Sequence, residues 1–202
     1  MSKNKNLTIK ENFNLAVKNH QEGKIDIAQD LYNQVLKFEP NHSQALNNIA
    51  TIFTNLKDYQ KAKECYEKAI EINPNYSDAH YNLGIIFKEL GENEKAIGCY
   101  QKVIKINPNY ADAHNNLGVI FKELGAYQKA KSCYEKVIQI DPGNEKAYNN
   151  LGNTYTDLGE YQNAKTFYEI ATELNPSFVS AYRNLGNIFT TLKEYPKAAT
   201  CY

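Results

Sequence analysis

Between Ala79 and Ile104 the apolar side chains fall into two stripes with a polar break between them. Ala79, Leu83, Ile86, Phe87 and Leu90 recur at steps of three and four residues, which lays them along one face of a helix. Gly91 ends that stripe, and Glu92-Asn93 reads as a short polar turn. The second stripe runs through Ala96, Cys99, Tyr100, Val103 and Ile104. It stops ahead of Pro108, because the residue before a proline is pushed out of the helical region. The pattern predicts two amphipathic helices folded back on each other.

The same pair is copied along the chain. Pro40, Pro74, Pro108, Pro142 and Pro176 are each 34 residues apart, and only Pro196 falls off the ladder. A fixed period of this size marks one helical unit repeated. With the proline set at position 32, the units are 9–42, 43–76, 77–110, 111–144, 145–178 and a partial 179–202. Position 20 is then alanine in all six (Ala28, Ala62, Ala96, Ala130, Ala164, Ala198), and position 24 is tyrosine in all six (Tyr32, Tyr66, Tyr100, Tyr134, Tyr168, Tyr202). Position 7 is Leu15, Ile49, Leu83, Leu117, Leu151 and Leu185. Position 8 is Ala16 and Ala50, then Gly84, Gly118, Gly152 and Gly186. Position 11 is Phe53, Phe87, Phe121, Tyr155 and Phe189, with Asn19 departing in the first unit.

These columns resemble the tetratricopeptide repeat family, whose 34-residue pattern has an aromatic, Leu-Gly, an aromatic, Ala, an aromatic and Pro in that order. The resemblance spans residues 9–202. It implies an all-α fold, a right-handed superhelical solenoid of stacked antiparallel helix hairpins. The physics of one unit agrees. Small residues at positions 8 and 20 let two helices approach closely. One hairpin cannot bury both faces alone, so units stack on their neighbours. The expected organisation is a flexible segment 1–8 followed by one array, 9–202.

The two ends differ from the middle. Residues 1–7 are polar, without an apolar stretch suited to a secretion signal. Thr8 with Glu11 reads as a capping box opening the first helix. Asn12 and Asn19 stand where aromatics are usual, which suits a first unit that meets water. Pro196 suits the first turn of a last helix, which has about seven residues before Tyr202, fewer than the ~12–15 that an isolated helix needs. The chain thus reads as the N-terminal piece of something longer. Leu185, Ile188, Phe189, Leu192, Ala198 and Tyr202 are expected to be left bare there, predicting a homo-oligomer that forms through the C-terminal end.

Charge narrows the partners. Lys+Arg and Asp+Glu both total 23, so nucleic acid or an anionic membrane as a main partner is excluded for want of a basic surplus. Lys61, Lys63, Lys68, Lys129, Lys131 and Lys136 are interleaved with glutamates, and Lys63–Glu67, Glu64–Lys68 and Lys131–Glu135 are expected to pair on a solvated face.

Cys65, Cys99, Cys133 and Cys201 all occupy position 23. Equivalent positions on stacked helices are ~10 Å apart, too far for a disulfide or a shared zinc ion. They read as small apolar fillers, reduced in a cytoplasmic compartment. His80 and His114 occupy position 4, where Tyr148 and Tyr182 stand in the next two units, and read as packing residues. With no nucleophile–base set and no phosphate loop, the chain reads as no enzyme, with no catalytic residues, no metal and no cofactor.

The column that asks for a function is position 6, asparagine in every unit: Asn14, Asn48, Asn82, Asn116, Asn150 and Asn184. Asparagine is a mediocre helix former, so its recurrence in mid-helix needs a reason. The family resemblance puts positions 2, 5, 6, 9, 12 and 13 on a concave face. A carboxamide there can pair with both the N–H and C=O of an extended peptide, and ~10 Å steps match about three extended residues. The ladder resembles the tetratricopeptide arm of the O-linked N-acetylglucosamine transferases and related bacterial repeat proteins. Asn115, Asn149, Asn153, Lys88 and Lys122 join it as candidate peptide-binding residues. The alternative is that the asparagines only brace neighbouring helices. The family's chaperone-binding carboxylate clamp is absent, since Phe13 and Val17 hold two of its positions. The expected function is a protein-binding scaffold holding an extended peptide. The alternatives are the substrate-recognition arm of a larger enzyme, such as a glycosyltransferase, and a self-assembling structural module.

Overall fold

Thr8 starts the first helix as its sequence foretells. Its hydroxyl accepts the Glu11 N–H at 3.2 Å while the Glu11 carboxylate accepts the Thr8 N–H at 2.8 Å. The computed structural model describes residues 8–201 of the chain. Among the described residues every regular element is a helix: α1 (Ile9–Gln21), α2 (Ile25–Phe38), α3 (Ser43–Asn55), α4 (Tyr59–Ile72), α5 (Ser77–Glu89), α6 (Asn93–Ile106), α7 (Ala111–Glu123), α8 (Tyr127–Ile140), α9 (Glu145–Asp157), α10 (Tyr161–Leu174), α11 (Val179–Thr191) and α12 (Tyr195–Ala199). Each 34-residue unit supplies one pair, so the all-α repeat of hairpins is realised. None of these helices is long and apolar enough to cross a membrane.

The helices divide into two bodies, Met1–Ile106 and Asn107–Tyr202. In the first, α1–α2, α3–α4 and α5–α6 pack as hairpins, and α2 meets α3 while α4 meets α5. In the second, α7–α8, α9–α10 and α11–α12 pair in the same way, with α8 against α9 and α10 against α11. Every hairpin turns through position 15 in the left-handed region. That residue is Gly23, Gly91, Gly125 or Gly159 with φ of 70–75°, but Lys57 and Lys193 reach φ of 60° and 62° there. A lysine in that region carries roughly 1–2 kcal/mol of strain that a glycine does not.

The close approach of the two helices is set by one contact. The rings of Tyr32, Tyr66, Tyr100, Tyr134 and Tyr168 are at most 2% exposed. A Cβ added at Gly84 would stand 2.8 Å from the Tyr100 ring, one at Gly118 2.8 Å from Tyr134, and one at Gly152 2.7 Å from Tyr168. The tyrosine therefore lies directly on the bare backbone of the first helix in its own unit. Units one and two reach the same burial with Ala16 and Ala50 at that position. Tyr202, the sixth of the column, is outside the described residues.

Three expectations need correction. Asn19, expected to meet water, is buried and donates its carboxamide to the Leu15 carbonyl at 2.8 Å. Leu185, Ile188, Phe189 and Ala198, expected to be bare, are 3–5% exposed in one cluster with Leu151, Ala164 and Tyr168. The α10 helix packs on α11 and α12 folds back on α11, so these four do not form a bare patch; Tyr202 lies outside the described residues. Of the three helix-surface ion pairs, only Lys131–Glu135 forms among the described residues, at 3.9 Å. Several of these lysines lie over rings, among them Lys131 itself, 5.0 Å from the centre of the Tyr155 ring. Lys61 and Lys129 sit over Phe53 and Phe121 of their own units, at 5.5 and 5.4 Å. Lys63 reaches Phe87 of the next unit at 5.8 Å, where Lys95 covers the same ring at 5.3 Å. An ammonium gains more over an aromatic face, with a carboxylate in the same turn, than from a carboxylate four residues away in water. Lys61 has such a carboxylate in Asp58 at 2.8 Å.

The tyrosine–glycine contact makes a graded prediction. Gly152→Val overpacks against Tyr168 and is expected to cost about 3 kcal/mol in urea unfolding. Gly152→Ala is expected to cost less than about 1 kcal/mol, because alanine is the better helix former and two other units accept it there. Equal effects of the two would show that the contact does not set the helix spacing.

Candidate functional site

Positions 5 and 6 of the first helices are where the amides meet. In the first body, Asn48 Nδ2 donates to the Tyr32 hydroxyl at 3.1 Å, and Asn47 Nδ2 donates to Asn48 Oδ1 at 3.2 Å. Asn82 Nδ2 then donates back across the repeat boundary to Asn47 Oδ1 at 3.4 Å. In the second body, Asn150 Nδ2 donates to Asn115 Oδ1 at 3.1 Å. Asn184 Nδ2 donates to Asn149 Oδ1 and to Asn153 Oδ1, both at 3.1 Å. Position 6 thus donates to position 5 of the preceding repeat wherever that residue is asparagine. Bracing is part of what the column does.

Around this bracing in the second body a cavity of about 410 Å³ opens between α7, α9, α10 and α11. Lys122, Asn149, Asn153, Thr156, Asp157, Tyr168, Ser180, Arg183, Asn184, Asn187 and Ile188 line it. Apart from Tyr168 and Ile188, these stand at positions 2, 5, 6, 9, 12 and 13. The Tyr168 hydroxyl donates to Asn153 Oδ1 at 2.7 Å and lies 3.1 Å from the Thr156 hydroxyl. Burial pushes the Tyr168 hydroxyl up to about 12, so it stays a neutral donor. Lys122 Nζ is 3.3 Å from Asp157 Oδ2, an ion pair on the cavity wall. A second cavity of about 300 Å³ lies beside it, with Asp112, Asn115, Lys146, Asn149, Asn150 and Phe178 among its walls. Asn149 lines both. The arrangement offers carboxamides, hydroxyls and fixed charges along a trough.

The sequence-derived candidates divide accordingly. Asn115, Asn149, Asn150, Asn153, Asn184 and Lys122 are brought together in the second body. Asn48 and Asn82 belong to the first body's network, while Lys88 and Asn116 are half-buried on α5 and α7. Asn14 is exposed on α1, and its side chain makes no hydrogen bond among the described residues. The structure adds Thr156, Asp157, Ser180 and the Tyr168 hydroxyl to the sequence-derived candidates. A tyrosine column reads as core, and its polar tip could have been traced only by asking where a buried hydroxyl finds a partner.

The other singled-out side chains are His80, His114 and the four thiols. His80 Nε2 is 3.1 Å from the Pro74 carbonyl and His114 Nε2 is 2.9 Å from that of Pro108, tying each first helix to the loop before it. The four thiols are unpaired, and no group of metal-ligating side chains forms among the described residues. Burial pushes Cys99 and Cys133 up to about 11.

Two outcomes follow. Asn184→Ala leaves the buried Asn149 oxygen without its donor and is expected to cost about 1–2 kcal/mol, whereas Asn14→Ala should be neutral. Equal chemical-denaturation midpoints for the two would remove the bracing role. For the thiols, the folded pKa lies above the unfolded value of ~8.5, so the stability from keeping them protonated is complete below that pH. It is lost as pH rises toward about 11. Melting temperature should fall from pH 8 to 11, and less steeply for Cys99→Ala/Cys133→Ala; parallel slopes would contradict this.

Profiles of the tetratricopeptide repeat match residues 43–76, 111–144 and 145–178, and another of that description matches 65–98. One described as TPR repeat matches 86–125. Among solved structures, MamA is 30% identical over 80% of this chain and 94% of its own, with a TM-score of 0.75. The pilF protein of Pseudomonas aeruginosa superposes over 96% of this chain and 88% of its own at TM-score 0.82, with 17% identity. YrrB, described as a TPR protein with an unusual peptide-binding site, covers 86% and 90% at TM-score 0.75 and 22% identity. The last two likenesses speak to fold alone. No curated protein matches the sequence.

Proposed function

The chain belongs to the tetratricopeptide repeat family, and on that premise we propose that it is a non-catalytic scaffold that holds an extended segment of another protein against its first helices. The observation that carries the reading is the 410 Å³ cavity, walled by polar side chains from three successive first helices and a tyrosine hydroxyl. An extended strand has an N–H and a C=O to satisfy at every residue, and a wall of amides can satisfy both without reading side chains. The position-6 asparagines serve twice in this reading. Their N–H groups hold the repeats together, as at Asn150 and Asn184. Their carboxamide oxygens, with Asn149, Asn153 and Lys122, face the segment. Asn115 and Asn116 belong with them in the second body, and Asn14, Asn48, Asn82 and Lys88 are the corresponding candidates in the first. The packed thiols favour a reducing compartment, the cytoplasm.

A twelve-residue random peptide display library provides the test. Selected peptides should bind the intact chain and shift backbone amide signals of Asn149, Asn153, Asn184 and Asn187. Asn187→Ala should weaken them several-fold. Signals that move only on α8, α10 and α12, or a library that yields no binder, would sink the reading.

A further inference from the structure

Resting on that reading, we propose that Arg183 selects the partner's sequence, requiring an Asp or Glu side chain at one place in the bound segment. The argument starts from position 5. Asn47, Asn115 and Asn149 hold it in three units, and each accepts an N–H from position 6 of the following unit. A guanidinium has five donors and no acceptor, so Arg183 cannot take that part. It is also the single arginine of the chain. The bracing scheme therefore has no use for it.

The surroundings leave Arg183 directed at a ligand. It is exposed on the wall of the 410 Å³ cavity and makes no ion pair or hydrogen bond among the described residues. The cavity holds three formal charges. Lys122 and Asp157 cancel at 3.3 Å, so the uncompensated one is the guanidinium. Beside it, the Asn184 N–H groups are committed to Asn149 and Asn153. A carboxylate on a short flexible stem meets the guanidinium fork with two parallel hydrogen bonds, which a lysine in the same place would not reproduce. The segment's amides supply general affinity, and Arg183 supplies a requirement for one negative charge.

The same library, displayed with both peptide ends joined to coat protein, excludes a free terminal carboxylate. Peptides selected on the intact chain should share Asp or Glu at one position. Replacing that residue by Gln, or Arg183 by Gln, should each weaken binding about tenfold, and both together no further. Selection on Arg183→Glu should bring Lys or Arg to that position. Groove-binding peptides without an acidic preference, or a preference that survives in Arg183→Gln, would overturn this inference and leave the scaffold reading standing. A library that yields no binder would overturn both.

Discussion

Among the described residues, five hairpins are each built on a tyrosine ring lying against a first helix that carries only glycine or alanine at position 8. The second-helix tyrosine fills the space that a side chain at position 8 would otherwise occupy, to the point where a Cβ on Gly84, Gly118 or Gly152 would sit inside ring contact. Burying a ring of that size is among the larger favourable terms a small repeat can have. It also fixes the helix spacing, which decides where every first-helix side chain emerges. The alanines at position 20, all buried, let the second helix seat itself without moving the ring.

A buried tyrosine needs somewhere to put its hydroxyl, and that need links the core to the candidate site. In the second body the Tyr168 ring is core while its oxygen reaches Asn153 and Thr156 at the cavity. In the first, Tyr32 meets Asn48 and Tyr66 meets Thr51. The amides at the cavity are thus held by core residues from below and by the next repeat from the side. Such side chains are preorganised, so a bound segment would lose less to ordering them.

The opposite face is organised by charge and aromatic rings. The position-11 ring is covered by the position-19 lysine of its own unit in four units and by the position-21 lysine of the unit before in three, with both at Phe87 and Phe189. Glu194 accepts from both Lys165 and Lys197, joining two repeats through one carboxylate. These contacts use the lysines that a net charge of zero would leave unremarked.

By itself the sequence determined the period, the helix pairs, the capping box at Thr8 and the identity of the core columns. All of these follow from local rules: apolar spacing, a proline every 34 residues, and small residues where helices must approach. It also pointed to the asparagine column, because a poor helix former recurring in mid-helix stands out. What that column does depended on distances between residues about 35 apart in sequence, and only the tertiary structure sets those. The spacing of Asn184 from Asn149 makes the amides brace one another. The burial of Leu185 and Phe189, the turn of Lys63 toward Phe87 and the reach of Tyr168 into the cavity were decided the same way. Each depends on which neighbour a side chain meets after the repeats stack, and a one-dimensional pattern carries the direction of a side chain but not the partner at its end.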